Sequence, residues 1–352
     1  MKAFKKIFCI LTVAVLLVSS LCIGAYAAGR KKALPTSAGI QALRDEFDHD
    51  VAPKAGGHAL DYAYYSPVGK NDNQKYPLVI FLHGIGHADY EGAQLDDSDM
   101  PYWASSELQS RFTSGGAFIL LPRAPEHKLV YWSTDLIEPL RAVIDDMIAK
   151  HGDNIDTTKI FISGSSAGGE MAWNMVVAFP EYFAGAFPIA STGSVTAADV
   201  KACSDVAIWM IASTKDPAVN YSMVTTPLWN NVRKHNNNPA SCRLTTLTNV
   251  SEPAGNAASD NHHMAKVITY DLHMLDGSTY PDATTVDGKG NTVSLKSPNG
   301  IISWMNSVSS EFDGTAAEGT GNTNITIFER FFNAIRNLGL KVVNIFQRLL
   351  GL

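Results

Sequence analysis

The chain has 352 residues, 45% hydrophobic and 18% charged, with 27 glycines and 16 prolines. That composition excludes disordered, collagen-like and disulfide-dense classes. A formal charge of −6 argues against a nucleic-acid binder, which needs a basic face, and four cysteines without a CxxC pair offer no paired-cysteine zinc site.

Lys2, Lys5 and Lys6 precede the apolar run Ile7–Leu17, and Ala25-Tyr26-Ala27 closes the segment. A positive start, an apolar middle and an A-x-A end predict a secretory signal peptide over residues 1–27. The competing reading is an uncleaved anchor, since residues 7–23 nearly suffice to span a bilayer. Leu21 is too bulky for the lipoprotein signal that Cys22 would need. Export, and hence a secreted protein, is the expectation. Without its three leader lysines the chain carries 25 Lys and Arg against 34 Asp and Glu, a net −9, and keeps only Cys203 and Cys242. Outside the cytosol such a pair is either bridged or left as two buried thiols. Each cysteine precedes an apolar segment, so neighbouring parallel strands would bring both to the same end of a sheet.

Tyr62–Tyr65 and Leu78–Leu82 read as strands on their β-branched and aromatic content. The second is an unbroken apolar run, expected of a strand buried on both faces. Phe118–Leu121 is another. Leu136, Leu140, Val143, Ile144, Met147 and Ile148 repeat at helical spacing over Leu136–Lys150. Lys159–Ser163 then predicts a strand, Gly168–Ala178 a helix stopped by Pro180, and Phe187–Ala190 and Ala207–Ala212 further strands. A helix over Thr226–His235 separates the last of these from a strand at Leu244–Leu247. Strands alternating with helices imply an α/β fold, a mostly parallel central sheet with helices on both faces. Asp287-Gly288-Lys289-Gly290-Asn291 reads as a hairpin tip. Residues 28–308 form the expected domain, and 309–323, polar and small, a flexible linker. Over 324–352, Phe328, Phe331, Phe332, Ile335, Leu338, Val342, Ile345, Phe346 and Leu349 repeat at three and four among basic residues. This predicts a basic amphipathic helical tail, interrupted at Gly339. It lies either on an anionic membrane surface or docked on protein, and is too short in its apolar runs to span a bilayer.

Gly164-Ser165-Ser166-Ala167-Gly168 matches G-x-S-x-G between a strand and a helix. That turn forces the serine into a strained conformation at the sheet's C-terminal edge, and small flanking residues let strand and helix approach. Ser166 is the expected nucleophile; Ser165 would lack both glycines. Upstream, the strand ending at Leu82 runs into His83-Gly84-Ile85-Gly86, where a backbone N–H turns toward the nucleophile. Ile85 and Ala167 are therefore the expected oxyanion-hole donors. A serine needs a base and the base an orienting acid, and behind a nucleophile elbow the chain order is serine, acid, histidine. Asp216 follows the strand Ala207–Ala212 and fits the acid, whereas Asp205 precedes it, at the wrong end. His262 and His263 follow Leu244–Leu247; His262 is preferred as base, His263 is the alternative and His273 the reserve, while His235, in a helix before the last strand, reads as a surface residue. An adjacent His pair can hold a metal, but no third ligand is suitably spaced. Asp96-Asp97-Ser98-Asp99 lacks the glycine and distal glutamate of a calcium loop and reads as solvated surface. Trp103, Tyr131 and Trp132 line an acyl pocket or belong to the core.

Together these motifs resemble the α/β-hydrolase superfamily. More narrowly they are similar to secreted esterases of the polyhydroxybutyrate-depolymerase and feruloyl-esterase type, often grouped with prolyl-oligopeptidase-like peptidases. The resemblance rests on Tyr76–Gly84, Leu121–Pro125, Asp156–Ile162, Gly164–Gly169 and Phe179–Ala184, and covers roughly residues 60–275. It implies Ser166, Asp216 and His262 as triad and acyl-ester hydrolysis without metal or organic cofactor. The family often has H-x-x-W around its histidine; here His262-His263-Met264-Ala265 stands instead. The substrates expected are feruloyl- or acetyl-type esters of plant polysaccharides, or related small esters. Two alternatives remain: a serine peptidase using the same triad, and a non-catalytic surface-interaction protein on a hydrolase scaffold.

Overall fold

The computed structural model describes residues 37–67, 69, 73–85, 88, 91–96, 100–125, 132–191, 195–250, 262, 263, 265, 282–295 and 300–315. The segments read as signal peptide and tail lie outside them.

Ten strands form one sheet in the order β1-β2-β4-β3-β5-β6-β7-β8-β9-β10. They are β1 (Asp48–Val51), β2 (Asp61–Tyr65), β3 (Tyr76–Leu82), β4 (Phe118–Pro122), β5 (Ile155–Ser165), β6 (Gly185–Ile189), β7 (Ala207–Ser213), β8 (Arg243–Leu247), β9 (Ala283–Asp287) and β10 (Thr292–Val293). The six strands from β4 to β8 along that order are parallel, while both margins are antiparallel. The helices are α1 (Ser37–Arg44), α2 (Ser106–Gln109), α3 (Ile137–His151), α4 (Ala167–Ala178), α5 (Ala197–Ala202), α6 (Thr226–His235) and α7 (Ile301–Ser307).

Every residue of β3 is buried. Because side chains alternate along a strand, Leu78, Ile80 and Leu82 join one apolar cluster and Val79 and Phe81 the other. The first cluster takes Leu140, Val143, Ile144 and Met147 from α3, Met171, Ala172 and Trp173 from α4, and Leu228, Trp229 and Val232 from α6. The second takes Ile301, Ile302, Trp304 and Met305 from α7, against Phe161, Phe187 and Trp209. Each such side chain contributes about 1.5–3 kcal/mol on burial, so both faces of the sheet are held by the helices that cover them.

Residues 309–315, placed by their composition in a linker, instead dock on the start of β5. Ser310 N–H donates to Thr158 O at 2.8 Å, and Thr157 Oγ1 donates to Phe312 O at 3.0 Å. Phe312 is only 6% exposed and stacks on Tyr182, with ring centroids 4.4 Å apart. Lys159 Nζ secures the preceding turn by donating to Asn306 O and Val308 O. Composition misled here because one buried aromatic outweighs several small polar neighbours. Residues 316–323 lie outside the described residues.

Cys203 closes α5 and Cys242 precedes β8; both are free thiols in the first apolar cluster. Burial pushes them up, Cys203 to about 12 and Cys242 to about 11, so neither is a thiolate at neutral pH.

Candidate active site

β5 ends at Ser165, and Ser166 turns the chain into α4 with φ 57° and ψ −116°. Among the described non-glycine residues only Ser166 and Ala190 have positive φ. Both stand at the C-terminal ends of neighbouring strands, where strain of roughly 1–3 kcal/mol is commonly stored for function. The elbow is held by its backbone: Ser166 N–H donates to Ile189 O at 2.9 Å, and Glu170 N–H donates to Ser166 O at 3.1 Å. The motif glycines are required by close approach. A Cβ at Gly168 would lie 2.0 Å from Leu82 O, and one at Gly164 would lie 2.3 Å from the Gly168 carbonyl carbon. Three backbones therefore meet where no side chain fits. Ser165, by contrast, is buried within the strand, paired with Ile189.

Ala167 opens α4, so its N–H belongs to a helical first turn that has no intrahelical acceptor. Ile85 follows β3 across the turn His83-Gly84, 60% exposed. His83 is a buried wedge beneath that turn. Its Nε2 accepts from Ala124 N–H at 3.1 Å, which puts the ring proton on Nδ1, facing Gly84 O at 2.7 Å. Trp132 Nε1 donates to His83 O at 2.9 Å, and Arg123, paired with Asp61, donates from Nη1 to Ala88 O at 2.9 Å. Sequence reading missed these three supports. His83 and Arg123 stood in motif stretches without an assigned task. Trp132 and Trp103 lie in the core rather than on a pocket wall; Tyr131 lies outside the described residues.

Asp216 sits in the turn after β7, its side chain 1% exposed. Oδ1 accepts from Ala218 N–H at 2.8 Å and Val219 N–H at 2.9 Å, so its own turn fixes the carboxylate. His263 Nδ1 lies 2.9 Å from Oδ2 and 3.1 Å from Oδ1. An ionised carboxylate only accepts, so the Nδ1 proton points at Asp216 and Nε2 is the basic nitrogen. The expected pairing of Asp216 with His262 is thus replaced by His263, the alternative of the adjacent pair. His262 turns instead to Ser213, with Nδ1 3.4 Å from Oγ. Two consecutive side chains diverge along a chain, so only one ring can meet a given acid.

Asp205 lies before β7 and is engaged by Asn237 Nδ2 at 2.8 Å, away from this edge. His235 closes α6, and His273 lies outside the described residues. Ser166, Asp216 and His263 follow β5, β7 and β8 at the C-terminal edge of one parallel sheet, which is where chemistry on such sheets assembles. Among the described residues no group of three or more His, Cys, Asp or Glu stands together to hold a metal ion. Asp96 of the acidic run pairs with Arg44; Asp97, Ser98 and Asp99 lie outside the described residues. A cleft of about 400 Å³ beside β1, lined by residues including Arg44, His49, Glu91 and Asp96, contains none of the site residues.

No family model matches the chain, and no curated protein matches it. Among solved structures it is similar to a thermostable esterase, with 29% identity and a TM-score of 0.54 over 65% of this chain and 60% of that one. The chain thus spans about 60% of that esterase's length. A thermophilic esterase from the Planctomycetes species Thermogutta terrifontis is 16% identical with a TM-score of 0.46, covering 68% of this chain and 95% of its own. An acylaminoacyl peptidase is 14% identical with a TM-score of 0.43, covering 64% and 40%. The last two are too distant to bear on function. The architecture is that of the α/β-hydrolase fold.

Proposed function

We propose that the protein is an exported serine hydrolase that cleaves carboxylic esters through an acyl-enzyme. The observation that carries this reading is the strained Ser166 standing at the same sheet edge as the buried Asp216 and its partly exposed partner His263. Backbone strain of the kind held at Ser166 collects where a conformation serves chemistry, and binding alone does not require it.

His263 Nε2 takes the proton of Ser166 as Oγ attacks the ester carbonyl, while Asp216 holds the imidazole by Nδ1–H and stabilises the imidazolium. The tetrahedral oxyanion forms against the Ile85 and Ala167 N–H groups. Collapse expels the alcohol with the proton from His263, and water repeats the sequence to release the acid. No metal or organic cofactor enters these steps. The substrates we assign are feruloyl- or acetyl-type esters of plant polysaccharides or related small esters, on the resemblance of the sequence motifs. Export rests on residues 1–27, and the basic amphipathic segment 324–352 supports contact with a cell or membrane surface.

The test is hydrolysis of p-nitrophenyl acetate and methyl ferulate by the full chain beside Ser166→Ala and His263→Ala. Each variant should lose a factor of about 10⁴ or more in kcat. Equal rates in wild type and Ser166→Ala would remove the nucleophile, and cleavage of peptide anilides without ester turnover would favour the peptidase.

A further inference from the structure

Ser213 is the last residue of β7, fully buried, and its hydroxyl lies between two loops. Oγ accepts the Lys215 N–H at 3.3 Å, inside the turn that carries Asp216. The same Oγ lies 3.4 Å from His262 Nδ1, on the loop that carries His263. Accepting from Lys215 leaves the hydroxyl its own proton and a second lone pair, so it can bond His262 Nδ1 in either tautomer of that ring.

The acid turn is fixed independently. Thr214 N–H donates to Leu247 O at 2.9 Å, and Asp216 closes on Ala218 and Val219. The attachments of the histidine loop include His263 on Asp216, His262 on Ser213, and Ala265 buried in the second apolar cluster. Removing the His262 attachment would take away the contact immediately N-terminal to His263.

We propose that His262 is a positioning residue: through the Ser213 hydroxyl it docks the histidine loop on the acid turn and so sets the angle of the His263 ring. The inference rests on the esterase reading for its kinetic consequence, but the contact itself can be read without turnover. A base displaced by a fraction of an ångström loses rate without losing substrate binding. An effect carried by one hydrogen bond should also be the same when either partner of that bond is removed.

The experiment takes the full chain and compares His262→Ala, Ser213→Ala, the double variant, and His262→Asn. Asparagine carries both a donor and an acceptor at about the position of Nδ1. Each alanine variant should lose roughly tenfold in kcat at little-changed KM, the double variant should be no slower than the singles, and asparagine should recover most of the rate. Ring ¹⁵N shifts supply the readout that needs no activity: Ser213→Ala should move the signals of both His262 and His263. An unmoved His263 signal, a multiplicative double variant, or wild-type turnover in His262→Ala would each overturn the proposal. So would His262→Ala as inactive as Ser166→Ala, since His262 would then be the base. If Ser166→Ala itself keeps its activity, the esterase reading fails, and the ¹⁵N shifts alone decide on the contact.

Discussion

The two ends of β5 solve opposite problems. At its C-terminal end the chain is forced into positive φ at Ser166, and three backbones close to distances that admit no Cβ. At its start the backbone is relaxed, and the strap of residues 309–315 adds ordinary hydrogen bonds and a stacked aromatic pair. One end holds a conformation the chain would not choose; the other supplies part of the stability that holds it. The two ends belong to one continuous strand of 11 residues, whose second half, Ile160–Ser165, is buried throughout.

The sharpest break is Gly168→Ala. Its Cβ would meet backbone rather than a movable side chain, so the expected loss is about 3 kcal/mol or more, read as the shift of the urea midpoint. A variant as stable as wild type would show that the elbow has room to relax. Phe312→Ala attacks the other end, and the cavity beside Tyr182 should cost about 3 kcal/mol in the same measurement. Its ester turnover per folded molecule should be unchanged; a parallel fall in kcat would mean that the two ends are coupled. Trp132→Phe keeps the ring but removes the donor to His83 O, and with it one support of the Ile85 turn. Turnover should drop roughly tenfold at near-normal stability, far less than removal of an oxyanion donor itself. The smallest effect runs in the opposite direction. Ser166→Gly relieves positive φ at a modest entropic cost and should gain about 1 kcal/mol of stability while abolishing turnover. Calorimetry showing a loss instead would mean that the elbow carries little strain.

The elbow was legible because its determinants are local. Each motif glycine does its work against residues of the elbow or of β3, whose apolar run identified it independently. Asp216 could be read from its place after β7, and Asp205 rejected from its place before it. The histidine could not be chosen in the same way. His262 and His263 are adjacent and chemically identical, and which ring meets Asp216 is set by how the loop returns from β8. β1 was missed for a related reason: Asp48-His49-Asp50-Val51 has no strand pattern, and becomes one only by pairing with β2 at an exposed margin. The aromatics Trp103 and Trp132 fitted both pocket and core, and sequence carries no information on which side of a wall a ring lies.

The strap also fixes an orientation. Phe312 and Gly314 lie beside Thr157 near the start of β5, roughly 30 Å along that strand from Ser166 at the usual rise per residue. A carrier, tag or bead joined directly after Thr315 would therefore hold the molecule by the end of β5 opposite Ser166. Immobilised that way, the molecule would face the bulk solution with Ser166 outward, and a bulky reactant could approach that edge without first passing the attachment point.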